Sequence, residues 1–120
     1  LVVEDNLSER EFYCHRIRAG GCQVESAADG LEAWSLLRRQ EYDLVVLELK
    51  LRGLHGLELL DLLAKGPRRV PVVICTSHPN LARFPQVKTY GPLRVCTNPD
   101  DGEQLLNCIE ELTRREPAKT

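Results

Sequence analysis

DLVVLELKLRGLHGLELL, residues 43–60, joins a continuous apolar run to a leucine-rich segment through a turn holding Gly53 and Gly56. The run ends on a single acid, Glu48. A strand with one wet face alternates apolar and polar residues. DLVVLE does not alternate, so it reads as a strand covered on both faces, the kind found in parallel sheets. GLELLDLLAKG (56–66) then reads as a helix closed by Gly66. A parallel neighbour for this strand requires a crossover, and a helix supplies it.

The same alternation extends in both directions. LVV (1–3) is a short first strand that ends in Glu4 and Asp5. NLSEREFYCHRIRAGG (6–21) follows as a helix, with Ser8 and Glu11 at capping-box spacing, Tyr13, Cys14 and Ile17 at helical spacing, and a Gly20-Gly21 stop. CQVES (22–26) reads as an edge strand, AADG (27–30) as a turn, and LEAWSLLRRQ (31–40) as a second helix. VPVVICTS (70–77) is another buried strand, with Pro71 tolerable near its start. HPNLARFPQVKTYGP (78–92) carries Pro79, Pro85 and Pro92, so any helix over 80–88 is expected to be short or distorted. LRVC (93–96) is a fifth strand. DGEQLLNCIEELTRR (101–115) is an amphipathic helix with Leu105, Cys108, Ile109 and Leu112 on one face.

Five strand–helix units in strict alternation predict an α/β domain built on a parallel sheet. Chemistry in such sheets collects at the carboxyl ends of the strands, where the strand order reverses. Glu4 and Asp5 end the first strand, Glu48 the third, Thr76 and Ser77 the fourth, Thr97 and Asn98 the fifth. In the order 2-1-3-4-5 the first and third strands are neighbours, and three carboxylates then meet at one rim. Close anions are costly unless a cation joins them or one is protonated. An oxygen-only set of Glu4, Asp5 and Glu48 suits a hard divalent ion such as Mg2+. The structural alternative is that Glu4 and Asp5 only cap the first helix.

Composition narrows the function classes. The 120 residues are 42% hydrophobic, enough for one domain with its own core. We expect that domain over residues 1–116, with 117–120 as a tail or the start of a linker. Sixteen basic residues against 18 acidic leave a net charge of −2, with no basic footprint for direct nucleic acid binding or for an anionic membrane surface. No apolar run approaches the ~20 residues of a membrane span, and no leader is evident, so a soluble, cytoplasmic domain is expected. The chain starts on LVVEDN without a methionine, and we expect it to be a fragment of a longer regulator. Cys14, Cys22, Cys75, Cys96 and Cys108 are odd in number and lack a CxxC pair, which suggests core thiols rather than disulfides or a zinc site.

LVVEDN, AADGLEAW, DLVVLELKLRGLHGLELL, PVVICTS and TNP, in this order and at these spacings, resemble the receiver domain of two-component response regulators over essentially the whole chain. Each motif alone is weak; five in register are specific. The resemblance implies a flavodoxin-like (βα)5 three-layer sandwich. It also implies Mg2+-assisted transfer of a phosphoryl group from a histidine kinase to an aspartate ending the third strand, with the last strand and helices as output. Glu4 and Asp5 match the acidic pair that holds Mg2+. Thr76 matches the switch hydroxyl, Pro99 the proline after the family's lysine, and Gly56 the glycine after the third strand.

The departures fall on the chemistry. Glu48 stands at the phosphoacceptor aspartate and Asn98 at the lysine. Arg52 replaces a proline, His55 an aspartate, and Val95 an aromatic switch residue. Phosphoryl transfer relies on in-line positioning and charge neutralisation. One extra methylene moves the carboxylate by roughly an ångström, a displacement that can cost ~100-fold. Asn98 offers amide dipoles in place of a positive charge. A glutamate carries −1 where a phosphoryl group carries about −1.5 to −2, so it reads as a partial mimic of the modified state, with a receiver scaffold that has lost its switch and serves only as a folded interaction surface as the equal alternative. Arg52 could pair with Glu48, and His55 could accept a phosphoryl group or act as a pH-sensitive group; a solvated arginine and an ordinary surface histidine are the simpler readings.

The expected function is thus an atypical receiver, not an enzyme, that regulates by protein contact. Its expected partners are a histidine kinase or other signalling domain, an output domain on the same chain, or a second copy. The alternatives are a Mg2+-dependent receiver using another acceptor, and a flavodoxin-like enzyme or cofactor binder. The last lacks a phosphate-cradling GxGxxG or GxxxxGK[ST].

Overall fold

A computed structural model of the chain describes residues 1–76, 79–96 and 102–113. The order of elements is β1 (Val2–Val3), α1 (Leu7–Ala19), β2 (Ser26–Ala27), α2 (Gly30–Arg39), β3 (Val45–Leu47), α3 (Gly56–Lys65), β4 (Val72–Cys75), a 3-10 turn (Pro79–Arg83), α4 (Pro85–Thr89), β5 (Leu93–Cys96) and α5 (Gly102–Thr113). All strand pairs are parallel, and the sheet order is β2-β1-β3-β4-β5, as the alternation and the resemblance predict.

The period of two along each strand sorts the core into two layers. Val3, Val45, Leu47, Val72 and Ile74 face one side and pack with Ala33 of α2, Leu59, Leu60 and Leu63 of α3, and Val87 of α4. Val2, Val46, Val73, Cys75 and Cys96 face the other and pack with Tyr13, Cys14 and Ile17 of α1 and Leu105, Cys108 and Ile109 of α5. Both faces of β3 and β4 are therefore covered, which explains why DLVVLE and VVIC do not alternate. The cysteines are free; Cys14, Cys75, Cys96 and Cys108 are buried and Cys22 is exposed.

Local signals set the helix ends, with small shifts from expectation. The cap of α1 is Asn6, whose side chain accepts from the Glu9 amide at 2.9 Å, so the Ser8–Glu11 box does not form the start. Asp29 caps α2 by accepting from the Glu32 amide at 2.8 Å, and Glu32 reaches back to the Ala28 amide at 3.1 Å. β2 lies at Ser26–Ala27, where CQVES placed it earlier. In the register Val2↔Ser26, residues 22–24 have no β1 residue opposite them. The proline-rich segment gives a 3-10 turn and the five-residue α4, with Pro85 at its first turn. The expected tail, 117–120, lies outside the described residues.

Candidate functional site

Because β1 and β3 are hydrogen-bonded neighbours at the point where the strand order reverses, the residues just beyond their ends share one rim. Glu4 follows β1, Glu48 follows β3 and Thr76 follows β4. They are the buried polar side chains of the described residues, at 2%, 6% and 8% exposure. Asp5 is half-buried and Arg52 exposed. Ser77, His78, Thr97, Asn98 and Pro99 lie outside the described residues.

Backbone bonds fix the two glutamates. The Glu48 amide donates to the Val3 carbonyl at 3.0 Å and the Glu4 amide to Ala27 at 3.1 Å, which continues the ladder one step past each strand. Glu48 then uses its extra methylene: its Oε2 accepts from the Leu49 amide at 2.8 Å. Glu4 Oε2 likewise accepts from the Asp5 amide at 3.1 Å. Both carboxyl groups curl back onto the next peptide. Gly56 locks the loop from the other side. Its amide donates to the Leu49 carbonyl at 2.9 Å, and a Cβ there would lie 2.6 Å from Leu49 Cα and 2.7 Å from the Glu48 carbonyl oxygen. Only glycine fits this approach.

The acids repel one another in a dry place. The Glu4 carboxyl is pushed up to about 9, first by burial, then by a side-chain hydrogen bond with Glu9 and by the negative charges of Glu48, Glu9 and Asp5. Glu4 therefore holds a proton at neutral pH. Tyr13, on the α1 face beneath the rim, has its phenol pushed up by burial first and then by Cys75 and the same carboxylates.

The oxygen donors Glu4, Asp5 and Glu48 have the chemistry of a Mg2+ site. Among the described residues no three His, Cys, Asp or Glu side chains gather as a ligand group, and Mg2+ requires only one or two carboxylates beside its waters. Two of the three carboxyl groups are turned onto their own backbone. The suggested Arg52–Glu48 pair does not form either. Ion pairs between described residues join Arg68 to Glu41 and Arg94 to Glu111.

Some residues of the site were not singled out from the sequence. Arg10 donates from Nη1 to the Glu4 carbonyl at 2.9 Å, and Glu9 bonds the Glu4 carboxyl. Both sit in the first turn of α1, and their spacing after Glu4 was the available signal. His55 caps α3: its Nδ1 accepts from the Leu57 amide at 3.2 Å.

Comparison with known proteins places this geometry. The chain is 26% identical over 111 residues to sporulation initiation phosphotransferase F of Bacillus subtilis, covering 92% of this chain and 90% of that one. It is 30% identical over 115 residues to the probable transcriptional regulatory protein SilR of Salmonella typhimurium, of which it spans 50%. Among solved structures, the receiver domain of NtrX from Brucella abortus superposes with a TM-score of 0.84 at 25% identity, covering 96% of this chain and 98% of that one. The response regulator TrrA of Thermotoga maritima, determined in complex with Mg(2+)-BeF, superposes with a TM-score of 0.83 at 22% identity over 92% of this chain and 95% of that one. The family model described as "Response regulator receiver domain" matches residues 1–110. With that match and the 2-1-3-4-5 sheet, the chain belongs to the response regulator receiver domain family.

Proposed function

We propose that this domain is an atypical receiver that signals by protein contact and is not phosphorylated in the usual way. The observation that carries the reading is the Glu48 side chain, which ends β3 at the acceptor position, is buried, and has Oε2 bonded to the Leu49 amide at 2.8 Å. That bond keeps one oxygen from serving as an in-line nucleophile. The sequence supplies the second argument: Asn98 at the lysine position brings no positive charge to a transferred phosphoryl group. Glu48 instead takes the acceptor position itself, on the rim it shares with Thr76, the residue at the family's switch hydroxyl.

In this reading the partners are a histidine kinase or another signalling domain, an output domain on the same chain, or a second copy, and the setting is the cytoplasm. The chain spans 90% of sporulation initiation phosphotransferase F, 50% of SilR and 25% of the transcriptional regulatory protein GlrR of Escherichia coli. Mg2+ has the donors Glu4 and Asp5 available, as the relative solved with Mg(2+)-BeF suggests. As arranged they form no ligand group with Glu48, so no step of this mechanism depends on the ion.

The test is to restore what is missing. Glu48→Asp and Asn98→Lys, singly and together, are incubated with Mg2+ and acetyl phosphate. The double variant is expected to label at least ~100-fold faster than the unmodified chain, the scale of an ångström-sized misplacement. Strong labelling of the unmodified chain would overturn the proposal.

A further inference from the structure

We propose that the outer face of α2 and α3 is a dimer surface, with α2 of one copy laid on α3 of a second copy and the reverse. The dimer rests on the reading of the domain as a contact module; it does not depend on the state of Glu48, so its test and the labelling test can fail separately. α2 and α3 pack side by side on one face of the sheet. Ala33 of α2 and Leu59, Leu60 and Leu63 of α3 turn inward and are buried. On α2 the outward stripe is Leu31, Trp34, Ser35 and Arg38, at i, i+3, i+4 and i+7. Leu31 is 63% exposed, the most of any large apolar side chain among the described residues. With half-buried Trp34 and with Ser35, Arg38 and Arg39 it lines a groove of about 420 Å3. Tryptophan and arginine are the residue types that most often carry the binding energy of an interface.

Charge identifies the occupant. The acids at the start of α2 are already engaged, since Asp29 accepts from the Glu32 amide and Glu32 from the Ala28 amide. The outward charge of α2 is then that of Arg38 and Arg39. α3 presents the opposite sign: Glu58 and Asp61 are exposed one turn apart, flanked by half-buried Leu57 and Leu62, before Lys65 closes the helix. Ion pairs between described residues involve none of Arg38, Arg39, Glu58 and Asp61. A two-fold axis running along the seam between α2 and α3 lays the cationic, tryptophan-bearing helix of each copy on the acidic, leucine-flanked helix of the other. The same contact then forms twice and closes, so the product is a dimer and not an open chain of copies. The face consists of two helices of 10 residues each, at the small end of specific interfaces, and the dimer is accordingly weak and concentration-dependent.

The experiment is sedimentation of the unmodified chain from micromolar to millimolar concentration, read beside the emission of Trp34, the single tryptophan of the chain. A monomer–dimer equilibrium is expected, with Trp34 emission moving to shorter wavelength over the same concentration range as its ring loses water. Arg38→Glu and Asp61→Arg change exposed side chains and leave the core intact. Each is expected to weaken the dimer about tenfold or more, because it sets like charges together at both symmetry-related contacts. The two changes in one chain restore opposite charges across the interface and leave the net charge unchanged, so most of the lost affinity is expected to return. A chain that stays monomeric up to millimolar concentration overturns the proposal. So does a dimer that leaves Trp34 emission unmoved or ignores the single charge reversals, and so does a double variant as weak as the single ones.

Discussion

One methylene separates glutamate from the aspartate expected at the end of β3, and its consequence is geometric. Glu48 is long enough to turn back and bond its own neighbour's amide, a reach that an aspartate would use differently. Glu4 does the same on β1, and its proton is the more telling feature. Its carboxyl is held at about 9 in the folded protein against an ordinary value of 4.5, so the folded chain binds that proton more tightly than the unfolded chain does. The stability carried by the proton is complete below about 4.5 and is lost as pH rises through about 9. Glu4→Gln is therefore expected to stabilise the domain at pH 8 by on the order of 1–3 kcal/mol, with little effect at pH 4, as read from urea midpoints. An unchanged midpoint at pH 8 would contradict a buried, protonated Glu4. Gly56→Ala tests the loop beside Glu48. Its methyl would meet Leu49 Cα at 2.6 Å, and the expected loss is roughly 1–3 kcal/mol in the same assay.

Among the elements, α5 and α4 show what could and could not be read from the sequence. Leu105, Cys108 and Ile109 repeat at helical spacing because one face of α5 lies on the sheet, and all three are buried. The spacing and the burial have the same cause, so the helix was legible. The segment from Pro79 to Pro92 was legible only as a disruption. Three prolines forbid a long helix, but nothing local reveals that Tyr90, just past α4, buries its ring and donates its hydroxyl to the Val70 carbonyl at 2.7 Å. That contact spans 20 residues and depends on the tertiary fold. It anchors the shortened α4 region to the entry of β4. Tyr90→Phe is expected to lower stability by about 1 kcal/mol while keeping the fold, measured by thermal or urea unfolding. No change would mean that the hydroxyl finds an equally good partner in water. The cap of α1 was misplaced by two residues for a similar reason: Asn6 and Ser8 are both good caps, and the path of the chain out of β1 selects Asn6.

At the scale of the whole molecule, the parallel sheet followed from alternation, because parallel strands need helical crossovers and buried strands lose their polar alternation, while the order 2-1-3-4-5 drew on the resemblance as well. The carboxyl-end site followed from that order, which brought Glu4, Glu48 and Thr76 to one rim as buried side chains. The turn of each carboxyl onto its own backbone did not follow, since spacing places a residue at a strand end without fixing its rotamer. Nor did the cap role of His55, because histidine is an uncommon cap and its Nδ1 bond is a matter of orientation. Leu59, fully buried in α3 against the sheet, holds the α2–α3–α4 layer, and Leu59→Ala is expected to cost about 2–5 kcal/mol by urea unfolding. Cavity formation there should weaken the whole domain without changing the chemistry at Glu48.

The central claim concerns that chemistry, and intact-mass spectrometry reads it directly. The unmodified chain is incubated with Mg2+ and a large excess of acetyl phosphate, beside a responsive receiver domain as control. The account predicts that the control gains one phosphoryl group while the mass of this chain stays unchanged. A stoichiometric phosphoryl adduct on this chain, whether mapped to Glu48 or to another residue, would contradict it.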